Sequence, residues 1–307
     1  MKSPSWLVIP CLLLLLPGCG SVSGSAGSCA LTREAELPVT FARNLPIVDV
    51  TLDGVVVKMV LDTGSNATVM TEKAFLRLGI ATDSLLRGTV VGFGGSASHH
   101  IAVVDRVGLG TAASRRVNVF VVPRENFPGD AEGLLGADIL GKFDVDLDMP
   151  HSRVGLYHQR NCPAGRPDWT TNAQALIGAP QGRSVLPNIV RVELDKTPLV
   201  ALIDSGAAAS MVDRNWALRS GTTAQALDAH RKFQGSGATE TKYAVVSHRF
   251  DSLTVGDEEI AAPLIAVTTT ANASLSGSFG MVLGEDYLRR HRVWIAYEDY
   301  KVFISKP

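Results

Sequence analysis

The chain has 307 residues, of which 19% are charged, and a formal net charge of −1 at pH 7. With that balance and no basic run it has no electrostatic footprint for nucleic acid, so proteins or peptides are the expected partners. A chain of this length can bury more than one small core.

At the N-terminus, Leu7 to Leu16 form an apolar stretch behind Lys2, about ten residues long and too short to span a bilayer. It reads as an export signal. It runs into Leu16-Pro17-Gly18-Cys19, which is similar to a bacterial lipobox except at Pro17. That resemblance implies a signal segment over 1–19, acylation of Cys19, and membrane contact only through a lipid anchor. The implied location is the outer membrane of a Gram-negative bacterium, facing the periplasm; cleavage near Ser25 to Ser28, giving a periplasmic or secreted protein, is the alternative. Gly20 to Ser28 is rich in Gly and Ser and reads as a flexible tether, taken as far as residue 37. After it, no apolar stretch is long and charge-free enough for a transmembrane helix. Cys29 precedes the first lobe and Cys162 follows it. In an oxidising compartment the two are expected to close that lobe with a disulfide, the alternative being two unpaired thiols.

Further along, Ile47-Val48-Asp49-Val50-Thr51-Leu52-Asp53 has the period-two pattern of a strand entering a turn. Val60-Leu61-Asp62-Thr63-Gly64-Ser65 then closes an apolar run on an Asp and opens a small-residue turn. Val90-Val91-Gly92-Phe93-Gly94-Gly95-Ser96 reads as a Gly-rich hairpin. Gly133 to Leu140 gives an apolar pair, a Gly and a short helix, and Val145 to Leu156 a β-rich tail. Residues 161–187, with four prolines, read as a linker.

The second half repeats the first. At an offset of 142, Ile189 to Asp195 overlays Ile47 to Asp53, and Leu202-Ile203-Asp204-Ser205-Gly206-Ala207 overlays the first Asp turn. Phe233-Gln234-Gly235-Ser236-Gly237 takes the place of the hairpin. Met281 to Leu288 matches Gly133 to Leu140 at an offset of 148, so six residues have entered between the landmarks, as a loop insertion would. The chain is an internal duplication with lobes over 38–160 and 188–307. Two strand ends that each deliver a carboxylate, facing one another, make a dyad able to share one proton.

The order Asp-Thr/Ser-Gly, Gly-rich hairpin, apolar pair, Gly and short helix resembles the retropepsin and pepsin clan of aspartic proteases, over roughly 45 to 157 and 188 to 305. The resemblance implies an all-β, bilobal acid-protease fold: two retropepsin-like β-barrel lobes on one polypeptide, a cleft between them, and a monomer that is its own pseudodimer. It implies an aspartic endopeptidase in which Asp62 and Asp204 activate water, with no cofactor and no metal. Thr63 and Ser205 match the positions whose hydroxyls cross to the other lobe. Gly64 and Gly206 let the backbone approach the carboxylates and supply amide donors. Ser65 is expected to hydrogen-bond a carboxylate and favour its ionisation, whereas Ala207 has no hydroxyl to do so. Gly92, Phe93, Gly94 and Gly95, with Gly235, Ser236 and Gly237, stand where mobile flaps would cover an extended peptide. Pepsin's flap tyrosine has no counterpart at these positions. A catalytically silent peptide-binding envelope lipoprotein is the alternative function, and a purely structural lipoprotein a third.

Several other motifs are set aside. Asp144, Asp146 and Asp148 open like a calcium loop, but Met149 stands where Gly is needed and Val145 and Leu147 alternate as in a strand. His99-His100 reads as a solvated loop pair without a third ligand. The sequons Asn66-Ala67-Thr68 and Asn272-Ala273-Ser274 are not expected to carry glycan, since the first overlaps the Asp turn and the export signal looks bacterial. Asp138 and Asp286 fit favourable charge at a helix start. The short segment ahead of the first lobe leaves little room for an inhibitory propeptide, so activity without further processing is expected.

Overall fold

A computed structural model describes residues 29–80, 82–92, 95–123, 127–162, 167, 169, 173–177, 187–236, 242–269 and 279–305. Cys19 with its signal segment, the tether to Ser28, Phe93, Gly94, Gly237 and the second sequon lie outside the described residues. Among these residues strands dominate and form three sheets, one of eight strands in the first half, one of nine in the second, and one of six to which both halves contribute. The bilobal all-β architecture is as the sequence implies. Among the described residues no helix is long and apolar enough to cross a membrane.

Each lobe is built around the same ladder. Leu45–Leu52 pairs antiparallel with Val55–Leu61, as Ile189–Leu194 does with Thr197–Ile203. The Gly133–Leu135 strand then runs parallel to Val55–Leu61 and antiparallel to Val69–Thr71. In the second lobe Met281–Leu283 does the same beside Thr197–Ile203 and Met211–Val212. Because side chains alternate, Val48, Val50 and Leu52 all face one core, together with Met59, Leu61, Met70 and Leu135. Burial of each contributes about 1.5–3 kcal/mol, which fixes the strand that ends in Asp62.

The inserted residues divide unequally. Phe120 beside Val69 and Ala266 beside Met211 occupy the same rung, at an offset of 146. Four of the six residues therefore enter before that rung, where the second lobe has the additional helix Ala224–Asp228.

The six-stranded sheet runs Ala30–Pro38, Arg153–Arg160, Asp144–Asp148, Val293–Ala296, Lys301–Ser305, Ala173–Ile177. Its central pairing, Val145↔Ile295 to Leu147↔Val293, joins the lobes. Two expectations are corrected by this sheet. Residues 30–37 are no tether, because Ala35 and Leu37 are buried and the segment pairs along its length with Arg153–Arg160. The linker is not all connection either, since Ala173–Ile177 forms an edge strand on Lys301–Ser305.

Asp144, Asp146 and Asp148 sit in the central strand, with Val145 and Leu147 alternating between them. Asp146 receives a two-pronged bond from Arg292 of the other lobe, at 2.9 and 2.6 Å. Asp148 takes Arg153 at 2.8 Å and His151 at 2.6 Å, and Asp144 takes Gln159 at 2.6 Å. Burial pushes the Asp144 carboxyl up to about 6 and raises that of Asp146, where Arg292 opposes the effect.

The histidine pair also departs from expectation. His99 and His100 lie within the strand Gly95–Leu109, not in a loop, so they point to opposite faces. His99 is 9% exposed, and burial lowers its pKa. His100 Nε2 sits 2.7 Å from Arg87 Nη1.

Cys29 and Cys162 are joined, with Cα atoms 4.4 Å apart, just beyond the Ala30↔Arg160 end of the outer ladder. The bridge closes a loop of sequence separation 133. Chain entropy sets its stabilisation at about 5 kcal/mol as an upper value, and removal of native bridges costs about 2–5 kcal/mol. Replacing both cysteines with Ala is expected to lower the unfolding free energy in urea by that amount, with reductant matching it on the wild type; an unmoved midpoint contradicts this.

Candidate active site

Both turns are anchored from behind, by the strand Gly133–Leu135 in the first lobe and Met281–Leu283 in the second. Asp62 follows Val55–Leu61 and donates its N–H to Leu135 O at 3.0 Å; Asp204 follows Thr197–Ile203 and donates to Leu283 O at 3.0 Å. One step on, Gly136 N–H donates to Thr68 Oγ1 at 3.1 Å, and that hydroxyl donates to Asp138 at 2.7 Å. Gly284, Ser210 and Asp286 repeat the arrangement at 3.1 and 2.7 Å. Asp138 and Asp286 therefore do more than complement a helix start: each ties its Asp turn to the following helix. Glycine is required at both landmarks, because a Cβ on Gly136 would lie 2.6 Å from the Ala67 carbonyl and one on Gly284 2.6 Å from Ala207 O.

Between the lobes, Thr63 and Ser205 interlock. Thr63 N–H donates to Ser205 Oγ at 3.1 Å and Ser205 N–H to Thr63 Oγ1 at 3.0 Å. In turn Thr63 Oγ1 donates to Ile203 O at 3.0 Å and Ser205 Oγ to Leu61 O at 2.8 Å. Both residues are buried, so a lost partner would leave an unsatisfied group at a cost of about 1–3 kcal/mol.

This brace brings the two carboxyls together. Each is hydrogen-bonded to the other. A Cβ on Gly64 would lie 2.3 Å from Asp204 Cγ, and one on Gly206 would lie 2.3 Å from Asp62 Cγ. Asp62 Oδ1 accepts from Gly64 N at 3.0 Å and Ser65 N at 2.8 Å, whereas Asp204 Oδ1 accepts from Gly206 N at 2.8 Å.

Burial raises the pKa of Asp62, and the Ser65 and Gly64 amides and the bond with Asp204 oppose it. Asp204 is pushed well above the ordinary carboxylate range, first by burial and then by the neighbouring charge of Asp62. Two like groups in contact ionise in separate steps, so one proton stays with the pair where ordinary carboxyls have lost theirs. The asymmetry is real but has a different source from the one expected. Ser65 Oγ donates to Ala67 O at 2.8 Å, and it is the Ser65 amide that favours an ionised Asp62. Ala207 N–H instead reaches Asp204 O at 3.3 Å.

Of the hairpin residues, Gly92 pairs with Gly95, Gly235 with Tyr243, and Ser236 with Lys242. Tyr243 was not evident from the sequence, because it lies on the returning strand. A Cβ on Gly235 would lie 2.6 Å from its ring, and burial together with the Asp204 charge raises its pKa. The second-lobe hairpin thus carries an aromatic side chain that the Asp204 charge reaches.

Asn188 was missed as well. It is buried, and its Nδ2 donates to Thr63 O at 2.8 Å and Ile203 O at 3.0 Å, binding the brace from below. Its partner at offset 142 is Pro46, and that polar-for-proline exchange beside a buried strand is the signal that marks it. Asn44, at a turn with φ 63°, reaches across to donate to Ala208 O and accepts from Arg289 at 3.1 Å. Among the described residues no three His, Cys, Asp or Glu side chains gather where a metal ion could be held.

The profile of the family described as Aspartyl protease matches twice, over residues 48–139 and 190–287, one match on each lobe. Among solved structures, the aspartic proteinase from Irpex lacteus shares the fold at a TM-score of 0.55 and 11% identity, over 90% of this chain and 97% of that one. A search of curated proteins found no match. With both lobes matched, the chain belongs to the aspartyl protease family.

Proposed function

We propose that the protein is an aspartic endopeptidase that hydrolyses peptide bonds with a water activated by Asp62 and Asp204. The observation that carries this reading is the contact of two carboxyls across a buried, reciprocal Thr63–Ser205 brace. One ionised carboxyl takes a proton from water as the water oxygen bonds to the carbonyl carbon, while the shared proton passes to the carbonyl oxygen. The resulting diol collapses as the C–N bond breaks; the amine leaves with one proton, and a diol proton restores the shared one. Because both proton positions lie on one rigid pair, the same dyad serves as base and acid.

The substrate in this reading is a peptide or protein bound in extended form, with the Gly92–Gly95 and Gly235–Tyr243 hairpins offering backbone partners and alternate side chains entering pockets. The decisive experiment exposes a mixed peptide library to the wild type and to Asp62→Asn and Asp204→Asn, with cleavage sites read by mass spectrometry. Cleavage lost in both variants supports the hydrolase; a wild type that retains peptides uncut from acid to neutral pH supports the silent binder.

Export with lipid attachment at Cys19 belongs to the same proposal, and the Cys29–Cys162 bridge supports an oxidising compartment. Labelled fatty acid is expected to enter the full-length protein and to be lost on Cys19→Ala. Equal labelling of the two forms would refute lipidation at that residue.

A further inference from the structure

Glu285 opens the short helix Glu285–Leu288 directly behind the Asp204 turn. Its N–H donates to Ala207 O at 2.8 Å, and Gly284 before it is pressed against the same carbonyl. The side chain has no solvent exposure, and among the described residues neither carboxyl oxygen has a hydrogen-bond partner. The first lobe makes the same backbone bond, Ala137 N–H to Ser65 O at 2.8 Å, but with a methyl group in place of the acid. A buried, unpartnered carboxyl on one side only of a duplicated site is costly to keep, and the fold gains no hydrogen bond from it.

The charged groups around it are few. On its own helix, Asp286 is occupied with Ser210, at 2.7 Å from both N and Oγ. Arg289 lies one turn on, yet its guanidinium donates to Asn44 Oδ1 at 3.1 Å and rests over the Phe41 ring, 4.3 Å from the centroid. The hairpin turn of the first lobe thus draws off the cation that would otherwise pair with Glu285. Across the Asp turn, a charge on Glu285 acts on Asp204.

We propose that Glu285 is a positioning residue of the dyad: a third acidic group, seated behind Asp204, that holds the shared proton in place toward higher pH. Burial pushes the Glu285 carboxyl up to about 8, with Arg289 pulling the other way. Once ionised it adds a negative charge beside Asp204, whose proton then becomes harder to remove. From about pH 8, where Glu285 ionises, the dyad thus keeps its singly protonated form, and with it both halves of its acid–base role, to a higher pH than it would without that charge.

This inference deepens the hydrolase reading and rests on it for its catalytic meaning, so the test has two arms. In the first, which needs no substrate, the side-chain carboxyl carbons of the Asp residues are titrated by NMR in the wild type, Glu285→Gln and Glu285→Ala, the last reproducing Ala137. The resonance assigned to Asp204 by its loss in Asp204→Asn is expected to titrate about half a pH unit or more lower in both variants. Thermal unfolding gives a companion readout. A carboxyl whose pKa is raised on folding contributes stability in acid that is lost as pH rises, here between about 4.5 and about 8. The wild-type Tm is therefore expected to fall over that range more steeply than that of Glu285→Gln. In the second arm, the basic limb of kcat/KM against pH shifts acidward in the variants while the acid limb stays in place. An Asp204 titration that does not move overturns the inference even if peptides are cleaved; a shifted titration without cleavage retains it and overturns the hydrolase.

Discussion

Asp204→Asn is expected to lower kcat/KM for any cleaved peptide by at least about 10³, and Asp62→Asn to do as much. The amide keeps the shape of the carboxyl and can still accept the Gly206 N–H at Oδ1, so the brace survives and the variant folds. What it loses is the proton position. An amide cannot alternate between accepting a proton from water and passing one to the carbonyl, and with one carboxyl left there is no partner to hold that proton. Because the two groups act as one unit, the double variant is expected to be no slower than the worse single variant. Initial rates on one peptide chosen from the cleavage profile measure this; a tenfold effect, or multiplicative losses in the double variant, would count against the dyad. Both variants should also melt no earlier than the wild type above neutral pH, since burial raises the pKa of both groups and their ionisation opposes folding.

Gly206→Ala and Gly64→Ala are expected to cost at least about 10² in kcat, because a displacement near 1 Å at the reacting centre has that effect. The added methyl would lie 2.3 Å from the opposing carboxyl carbon, far inside van der Waals contact. Asp62 cannot yield easily, held by the amides of Gly64 and Ser65. The lobes must part or the dyad must splay, and overpacking of this kind costs about 1–3 kcal/mol of stability as well. Gly79→Ala is the control. At φ 64° it is strained by about 1 kcal/mol, but no described atom lies within 4 Å of its Cβ position and it caps the end of the helix Glu72–Leu78, so kcat is expected to hold. Wild-type kcat in Gly206→Ala would mean that the carboxyls do not meet as described.

The dyad turns were legible because their parts are consecutive in sequence and occur twice. Asp62-Thr63-Gly64 and Asp204-Ser205-Gly206 each carry acid, hydroxyl and glycine in one run, and the Gly136 and Gly284 landmarks recur in order. What escaped depends on pairing between distant segments. The strand Ala30–Pro38 includes Arg33, Glu34 and Glu36 and exposes one face at a sheet edge, so its composition resembles a tether until Arg153–Arg160 is seen beside it. Ala173–Ile177 is a strand only because Lys301–Ser305 offers it a ladder. Asn188, Asn44 and Tyr243 act across the join between lobes or between hairpin strands, which no local pattern encodes. The Ser65 hydroxyl was assigned by type, yet it is Ala67 O that accepts its hydrogen bond.

The internal asymmetry has a common physical theme. The first-lobe carboxyl is stabilised in its charged form by two amides, while the second-lobe carboxyl has one, with Tyr243 and Glu285 nearby. Duplication supplied two equivalent strand ends, and substitutions around one of them made the pair unequal, which suits a site where one group must be ionised and its neighbour protonated.

The most direct measurement is kcat/KM of the wild type against pH on a single cleaved peptide, with the two Asn variants alongside. A proton shared by the pair gives a bell whose limbs have separate apparent pKa values, one for each ionisation of the coupled pair, and no activity in either variant across its width. A profile with a single limb, or a variant that retains the bell, would contradict a proton shared between Asp62 and Asp204.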